Sequence, residues 1–169
     1  LYHPSPANGD SCGSSVATGD FNGDGNGDIV MGCPFDDITF TNQGSVVVFK
    51  NNSGNFTHLA TLHYPFPDNY DSCGASVASG DFNGDGDDDI VMGCPGYDHP
   101  FTAGSNEGSI VIFEKTATGF SSGTVLTHPS PAKDDWCGSS VAVGDSDGDG
   151  KDDFIAVSYT HLTLPTTER

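Results

Sequence analysis

The sequence predicts an all-β fold, a fragment of a β-propeller with two four-stranded blades and the inner hairpin of a third. Three observations predict it. A nine-residue Asp/Gly loop occurs three times, as DFNGDGNGD at 20–28, DFNGDGDDD at 81–89 and DSDGDGKDD at 145–153. The same short apolar runs flank each copy. Glycine and proline, 23 and 10 of the 169 residues, fall so often that no window keeps a helical period. Asp20 and Asp81 are 61 residues apart, Asp81 and Asp145 are 64 apart, and a unit of that length with four strands is the mark of a propeller blade.

Each unit opens with a strand-like run: CGSSVATGD (12–20), CGASVASGD (73–81) or CGSSVAVGD (137–145). After the loop, DIVMGCP at 28–34 and again at 89–95 supplies a second strand. GSVVVFK (44–50) and GSIVIFEK (108–115) supply a third, and FTHLATLH (56–63) and FSSGTVLTH (120–128) a fourth. Valine, isoleucine, phenylalanine and threonine dominate these runs, while glycine, asparagine and aspartate separate them. The repeats fall at about 12–72, 73–136 and 137–156.

The loops carry oxygen donors at positions one, three, five and nine, with glycine at position six (Gly25, Gly86, Gly150). Alternate side chains converge on one ion only if the backbone turns sharply at that glycine, and three or four carboxylates with a main-chain carbonyl suit calcium better than magnesium. The expected ligands are Asp20, Asn22, Asp24, Asp28 and the Asn26 carbonyl in the first loop. They are Asp81, Asn83, Asp85, Asp89 and the Asp87 carbonyl in the second, and Asp145, Asp147, Asp149, Asp153 and the Lys151 carbonyl in the third. Three Ca2+ sites follow, with Asp88 and Asp152 expected to face solvent. An EF-hand needs Glu at position twelve between helices; here Met31, Met92 and Ala156 stand there, between strand-like flanks.

The net charge of −19 is concentrated in these loops, which hold thirteen of the 24 carboxylates: three in the first and five in each of the others. Five basic residues cannot neutralise a phosphate backbone, so no nucleic acid is expected as a partner. No apolar run is long enough to span a bilayer, so no membrane contact is expected from this segment.

Cys12 and Cys33 are 21 residues apart, as are Cys73 and Cys94, and each pair brackets one hairpin. Disulfides Cys12–Cys33 and Cys73–Cys94 fit this register; reduced thiols packing as small hydrophobes fit it too. A zinc site lacks the CxxC spacing it would need. Cys137 would find its partner at Ser158. Paired cysteines favour an oxidising compartment, so the expected location is extracellular, secreted or in the ectodomain of a membrane protein.

CGSSVATGDFNGDGNGDIVMGCP resembles the FG-GAP repeat of integrin α-subunit β-propellers and related secreted proteins. That pattern runs Phe-Gly, Ser-Val-Ala, a calcium loop, an apolar strand and Gly-Ala-Pro. Here Cys12, Cys73 and Cys137 replace the Phe, and Cys33 and Cys94 replace the Ala. The resemblance covers 12–156 and implies a parent propeller of roughly seven blades. The ion would then be structural, and a protein or glycan ligand is expected on the face opposite the calcium loops. Alternating hairpins place aromatics on that face: Phe35, Phe40, Phe66, Tyr70, Tyr97, Phe101 and Trp136. Packing between blades would equally explain them.

Residues 157–169 are expected to be a non-native tail. VSYTHLTLPT resembles translated adapter sequence from sequencing libraries, and the repeat pattern stops there. The start at Leu1 and LYHPSPA, which matches a strand-four exit, point to a fragment. His3, His63 and His128 recur beside prolines and read as turn or interblade residues. Asn51 and Asn55 match glycosylation sequons. No nucleophile elbow or histidine-orienting acid stands at a defined spacing, so the chain is not expected to be an enzyme. Two function classes remain: a calcium-binding adhesion or interaction propeller, or an accessory propeller of a secreted hydrolase or lyase.

Overall fold

Glycine-bounded runs of β-branched residues form twelve strands in the computed structural model, which describes residues 1, 3–99 and 104–159. β1 (Ser15–Gly19), β2 (Asp28–Cys33), β3 (Ser45–Asn52) and β4 (Asn55–Leu62) form an antiparallel meander. The second blade repeats it with β5 (Ser76–Gly80), β6 (Asp89–Cys94), β7 (Ser109–Phe113) and β10 (Thr124–Thr127). A small hairpin, β8 (Lys115–Thr116) and β9 (Gly119–Phe120), interrupts its outer half. β11 (Ser140–Gly144) and β12 (Asp153–Val157) pair as the inner hairpin of a third unit. No helix occurs among the described residues, and none is long and apolar enough to cross a membrane.

Register is the same in every copy. Ser15 faces Gly32, Ser76 faces Gly93 and Ser140 faces Val157. The strands run on to Val157, so no break in the backbone marks residue 156. Residues 160–169 lie outside the described residues.

β6 is buried on both faces, between the first sheet and the β11–β12 hairpin, whereas β2 meets a sheet on one face and is covered by Cys12 and Phe56 of its own unit on the other. Val30, Val46 and Val48 of the first sheet meet Val77, Ile90, Met92, Val111 and Phe113 of the second in one apolar core. Val77 is 8% exposed against the first blade, whereas its counterpart Val16, with no blade before it, is 64% exposed. Burial therefore comes from neighbouring units, as expected of a repeat array.

Glycine makes the close approach possible. A Cβ at Gly32 would sit 2.0 Å from the Gly74 carbonyl oxygen, and one at Gly93 would sit 2.0 Å from that of Gly138. The same carbonyls accept hydrogen bonds from Ser15 Oγ (2.8 Å) and Ser76 Oγ (2.7 Å). The disulfides Cys12–Cys33 and Cys73–Cys94 are both present, and Cys137 is free and buried. Each staple closes its hairpin beside this seam.

Candidate metal centres

Each aspartate loop folds around its first residue. Asp20 Oδ1 accepts the N–H groups of Gly23 (2.8 Å) and Asp24 (3.1 Å), and Oδ2 accepts that of Gly25 (2.7 Å). Asp81 does the same with Gly84, Asp85 and Gly86, and Asp145 with Gly148 and Gly150. This wrapping requires the left-handed backbone at position six, where Gly25, Gly86 and Gly150 have φ of 81°, 92° and 88°. Burial pushes the Asp20 carboxyl up, but the converging donors outweigh it and hold its pKa below the usual value.

Position five turns the loop back. Asp24 Oδ1 accepts Asn26 N–H (2.8 Å), Asp85 Oδ1 accepts Asp87 N–H (2.9 Å) and Asp149 Oδ1 accepts Lys151 N–H (2.8 Å). At position three, Asn22 Nδ2 donates to Asp28 Oδ2 (2.8 Å), while Asn83 and Asp147 accept from the backbone two residues on. In the third loop a carboxylate oxygen from each of Asp145, Asp147 and Asp149 lies within 4.8 Å of the other two. Donors in all three loops are oxygens only, as a hard cation of the calcium type requires.

Position nine does more than its spacing suggests. Asp28 and Asp89 are fully buried. Asp28 Oδ2 accepts Phe21 N–H (3.1 Å) and its Oδ1 accepts Asn51 N–H (2.7 Å), tying the loop to the end of β3. Asp89 repeats this with Phe82 and Lys115, and burial raises its pKa to about 6 despite those bonds. Asp153 accepts from Ser146 N–H and, in a short contact, Ser146 Oγ, which hold its pKa low. The β3–β4 turn thus shares a face with the loops.

Two expectations require correction. Asp88 and Asp152 do not face solvent. Asp88 Oδ2 accepts Asp20 N–H at 2.7 Å, and Asp152 Oδ2 accepts Asp81 N–H at 3.1 Å. The amides of Asp88 and Asp152 donate in turn to the Asp20 carbonyl (3.4 Å) and the Asp81 carbonyl (3.0 Å). The first and second loops are therefore each clamped by the next one, a contact invisible within a single repeat. His63, in turn, does not occupy His3's place. Counted back from Cys12, Cys73 and Cys137, that place belongs to His3, Tyr64 and His128, and Tyr64 is buried like His3.

Sequence reasoning also missed the second loop residue. Phe21 is fully buried in the interblade core beside Phe120, and Phe82 meets Phe154 edge-on at 5.7 Å. Of the aromatics on the opposite face, Phe35, Phe66, Tyr70 and Trp136 are exposed. Phe40 is half-buried, Tyr97 packs on Tyr64 at 5.2 Å, and Phe101 lies outside the described residues.

A family model described as FG-GAP repeat matches residues 13–49 and 74–113, and one described as FG-GAP-like repeat matches 35–92. Integrin alpha pat-2 of Caenorhabditis elegans is 41% identical over 92 residues, which is 52% of this chain and 7% of that protein. Integrin alpha pat-2 of Caenorhabditis briggsae is 31% identical over 160 residues, 86% of this chain and 12% of that protein. Mouse integrin alpha-IIb is 31% identical over 156 residues, 87% of this chain and 15% of that protein. The chain thus spans less than a sixth of the length of each of these relatives.

Proposed function

The chain belongs to the FG-GAP repeat family, and from that premise we propose that it is part of an extracellular adhesion propeller of the integrin α type, stiffened by calcium at three loops. The observation that carries the reading is an oxygen-rich aspartate loop at the hairpin joining the first two strands of every unit, with the carboxylates of Asp145, Asp147 and Asp149 already converging in the third. The side chains at positions one, three, five and nine, with the carbonyls of Asn26, Asp87 and Lys151, would hold the ion. A bound divalent ion would supply the positive charge that these clustered carboxylates lack.

The remaining work is done by the chain's own groups. Backbone donors preorganise Asp20, Asp81 and Asp145; Asp28 and Asp89 carry the loop's position into β3 and the segment after β7. The role is scaffolding rather than catalysis, with protein ligands met on the opposite face, where Phe35, Phe66, Tyr70 and Trp136 are exposed. The integrin relatives favour this reading over an accessory to a hydrolase or lyase. We read residues 157–169 as foreign to the repeat.

Because an ion that binds only the folded loop stabilises it by mass action, millimolar calcium should raise the melting temperature of the chain well above its value in chelator. Equal melting temperatures in the two buffers would refute the structural role.

A further inference from the structure

The face of the first blade opposite the aspartate loops holds another set of ligand-type side chains. His3, Asp10 and Asp36 are 8%, 5% and 4% exposed, and one ligand atom from each lies within 4.8 Å of the other two. His3 and Asp10 come from the strap before β1, Asp36 from the β2–β3 connection. His3 Nε2 lies 3.1 Å from Asp36 Oδ2, but the two are not aligned for a hydrogen bond and Nε2 has no other partner. Both carboxylates are oriented from behind: Asp10 Oδ2 accepts Ala7 N–H (2.6 Å) and Asp36 Oδ2 accepts Ser45 Oγ–H (2.7 Å). Among the described residues, no lysine or arginine pairs with either acid. Two buried carboxylates beside one imidazole leave negative charge without a counter-ion, a costly state that a cation relieves.

The second blade provides an internal control. Tyr64, Asp71, Tyr97 and Ser109 occupy the places of His3, Asp10, Asp36 and Ser45, with the same backbone bond from Asp68 N–H to Asp71 Oδ2 (2.7 Å). There two rings in tilted contact fill the space. In the first blade both rings are replaced together, by an imidazole and a carboxylate. Beside them opens a cavity of about 360 Å³ lined by Thr61 and His63, whose Nδ1 is buried without a partner.

The two histidine turns hold their rings differently. Ser5 N–H donates to His3 Nδ1 at 3.2 Å, a long bond. In the sister turn, His128 Nδ1 lies 2.8 Å from the Ser130 carbonyl and 3.3 Å from its N–H. There Nδ1–H donating to the carbonyl leaves Nε2 with a free lone pair, the usual orientation of a ligating histidine; at His3, where Nδ1 accepts from Ser5 N–H, a metal on Nε2 displaces the Nε2 proton.

We propose that His3, Asp10 and Asp36 form a site for a divalent transition cation of the zinc class, separate from the aspartate loops and open toward His63. One nitrogen and two carboxylate oxygens with a vacant fourth direction suit such an ion better than calcium, which takes six to eight oxygens. The ion would pin the strap before β1 to the β2–β3 connection.

The test is a zinc titration of the full 169-residue chain at saturating calcium, in a Cys137→Ser background that removes the lone thiol. One equivalent of zinc should bind, and Co2+ in its place should give the visible absorption of a low-coordinate nitrogen–oxygen site. His3→Gln and Asp36→Asn should each weaken zinc binding by about 100-fold or more. The double variant His3→Tyr/Asp36→Tyr, which copies the packing of the second blade, should keep its calcium-dependent melting and take up no zinc. No uptake by the parent chain, or uptake undiminished in both single variants, would overturn the proposal.

Discussion

Asp71 is almost fully buried, and its nearest charged neighbours are other acids. Burial raises its pKa to about 6, with Asp68 and Asp98 adding to the rise and the Asp68 N–H bond opposing it. The folded state therefore holds a proton that the unfolded chain has already lost between about pH 4 and pH 6. Asp71's contribution is most favourable below that window and is lost as pH rises through 6. Asp71→Asn keeps an acceptor for Asp68 N–H and removes the charge. It should stabilise the chain at pH 7.5 by about 2–3 kcal/mol and hardly at all at pH 4. Parallel thermal melts at the two pH values check this, and an equal difference at both would count against it. Such residues were not legible in the sequence. Asp71 reads as an ordinary turn acid until the Cys73–Cys94 hairpin and Tyr64 close over it. HYP at 63–65 likewise invites alignment with HPS at 3–5, although the buried position belongs to Tyr64.

Strands were the most legible elements, because SVATG and DIVMG carry β-branched residues between glycines and recur with their loops. Where neighbours intervene, legibility fell. GSVVVFK continues through a register shift at Val48/Phe49 into an eight-residue β3, but GSIVIFEK stops at Phe113. There Ser121 N–H bonds the Glu114 carbonyl and Glu114 N–H bonds Ser121 Oγ, so the chain folds into β8–β9 instead. The cysteine register was fully legible and leads to a prediction about β11–β12. Cys137 stands where Cys12 and Cys73 stand, and Ser158, with its Oγ on the Asp135 carbonyl, stands where Cys33 and Cys94 stand. Ser158→Cys should close a third disulfide worth about 3 kcal/mol by the loop-entropy estimate. The denatured variant should then show no free thiol, where the parent shows one; two free thiols would mean that the hairpin register differs.

Across the whole molecule, stability depends on seams between units that bury little individually. Each seam combines apolar packing, a serine–carbonyl bond, a glycine where an added Cβ would lie 2.0 Å from a carbonyl oxygen, and the paired Asp clamp. The clamp also links the candidate ion sites, since Asp88 holds the amide of Asp20, the proposed first ligand of the preceding loop. Asp88→Ala should therefore destabilise the junction of the first two blades by about 1–2 kcal/mol, and Asp88→Asn, which keeps an acceptor, by less. Amide hydrogen exchange at Asp20 reads this directly: faster exchange is expected in the alanine variant, and unchanged protection would remove the clamp from the account. Only comparison of successive repeats in space exposes this contact, because its two partners lie 68 residues apart.

The two seams are also built to one plan. Gly74 and Gly138 offer their carbonyls to equivalent glycines and serines, and Asp88 and Asp152 grip equivalent amides. A junction therefore repeats these contacts along the array, although the Ser79 Oγ bond to the Thr18 carbonyl in the first seam has Val143 at the equivalent place in the second. If the segment 73–136 were duplicated in tandem, the extra copy would already possess both mating surfaces, so gene duplication could lengthen such a protein without inventing new contacts.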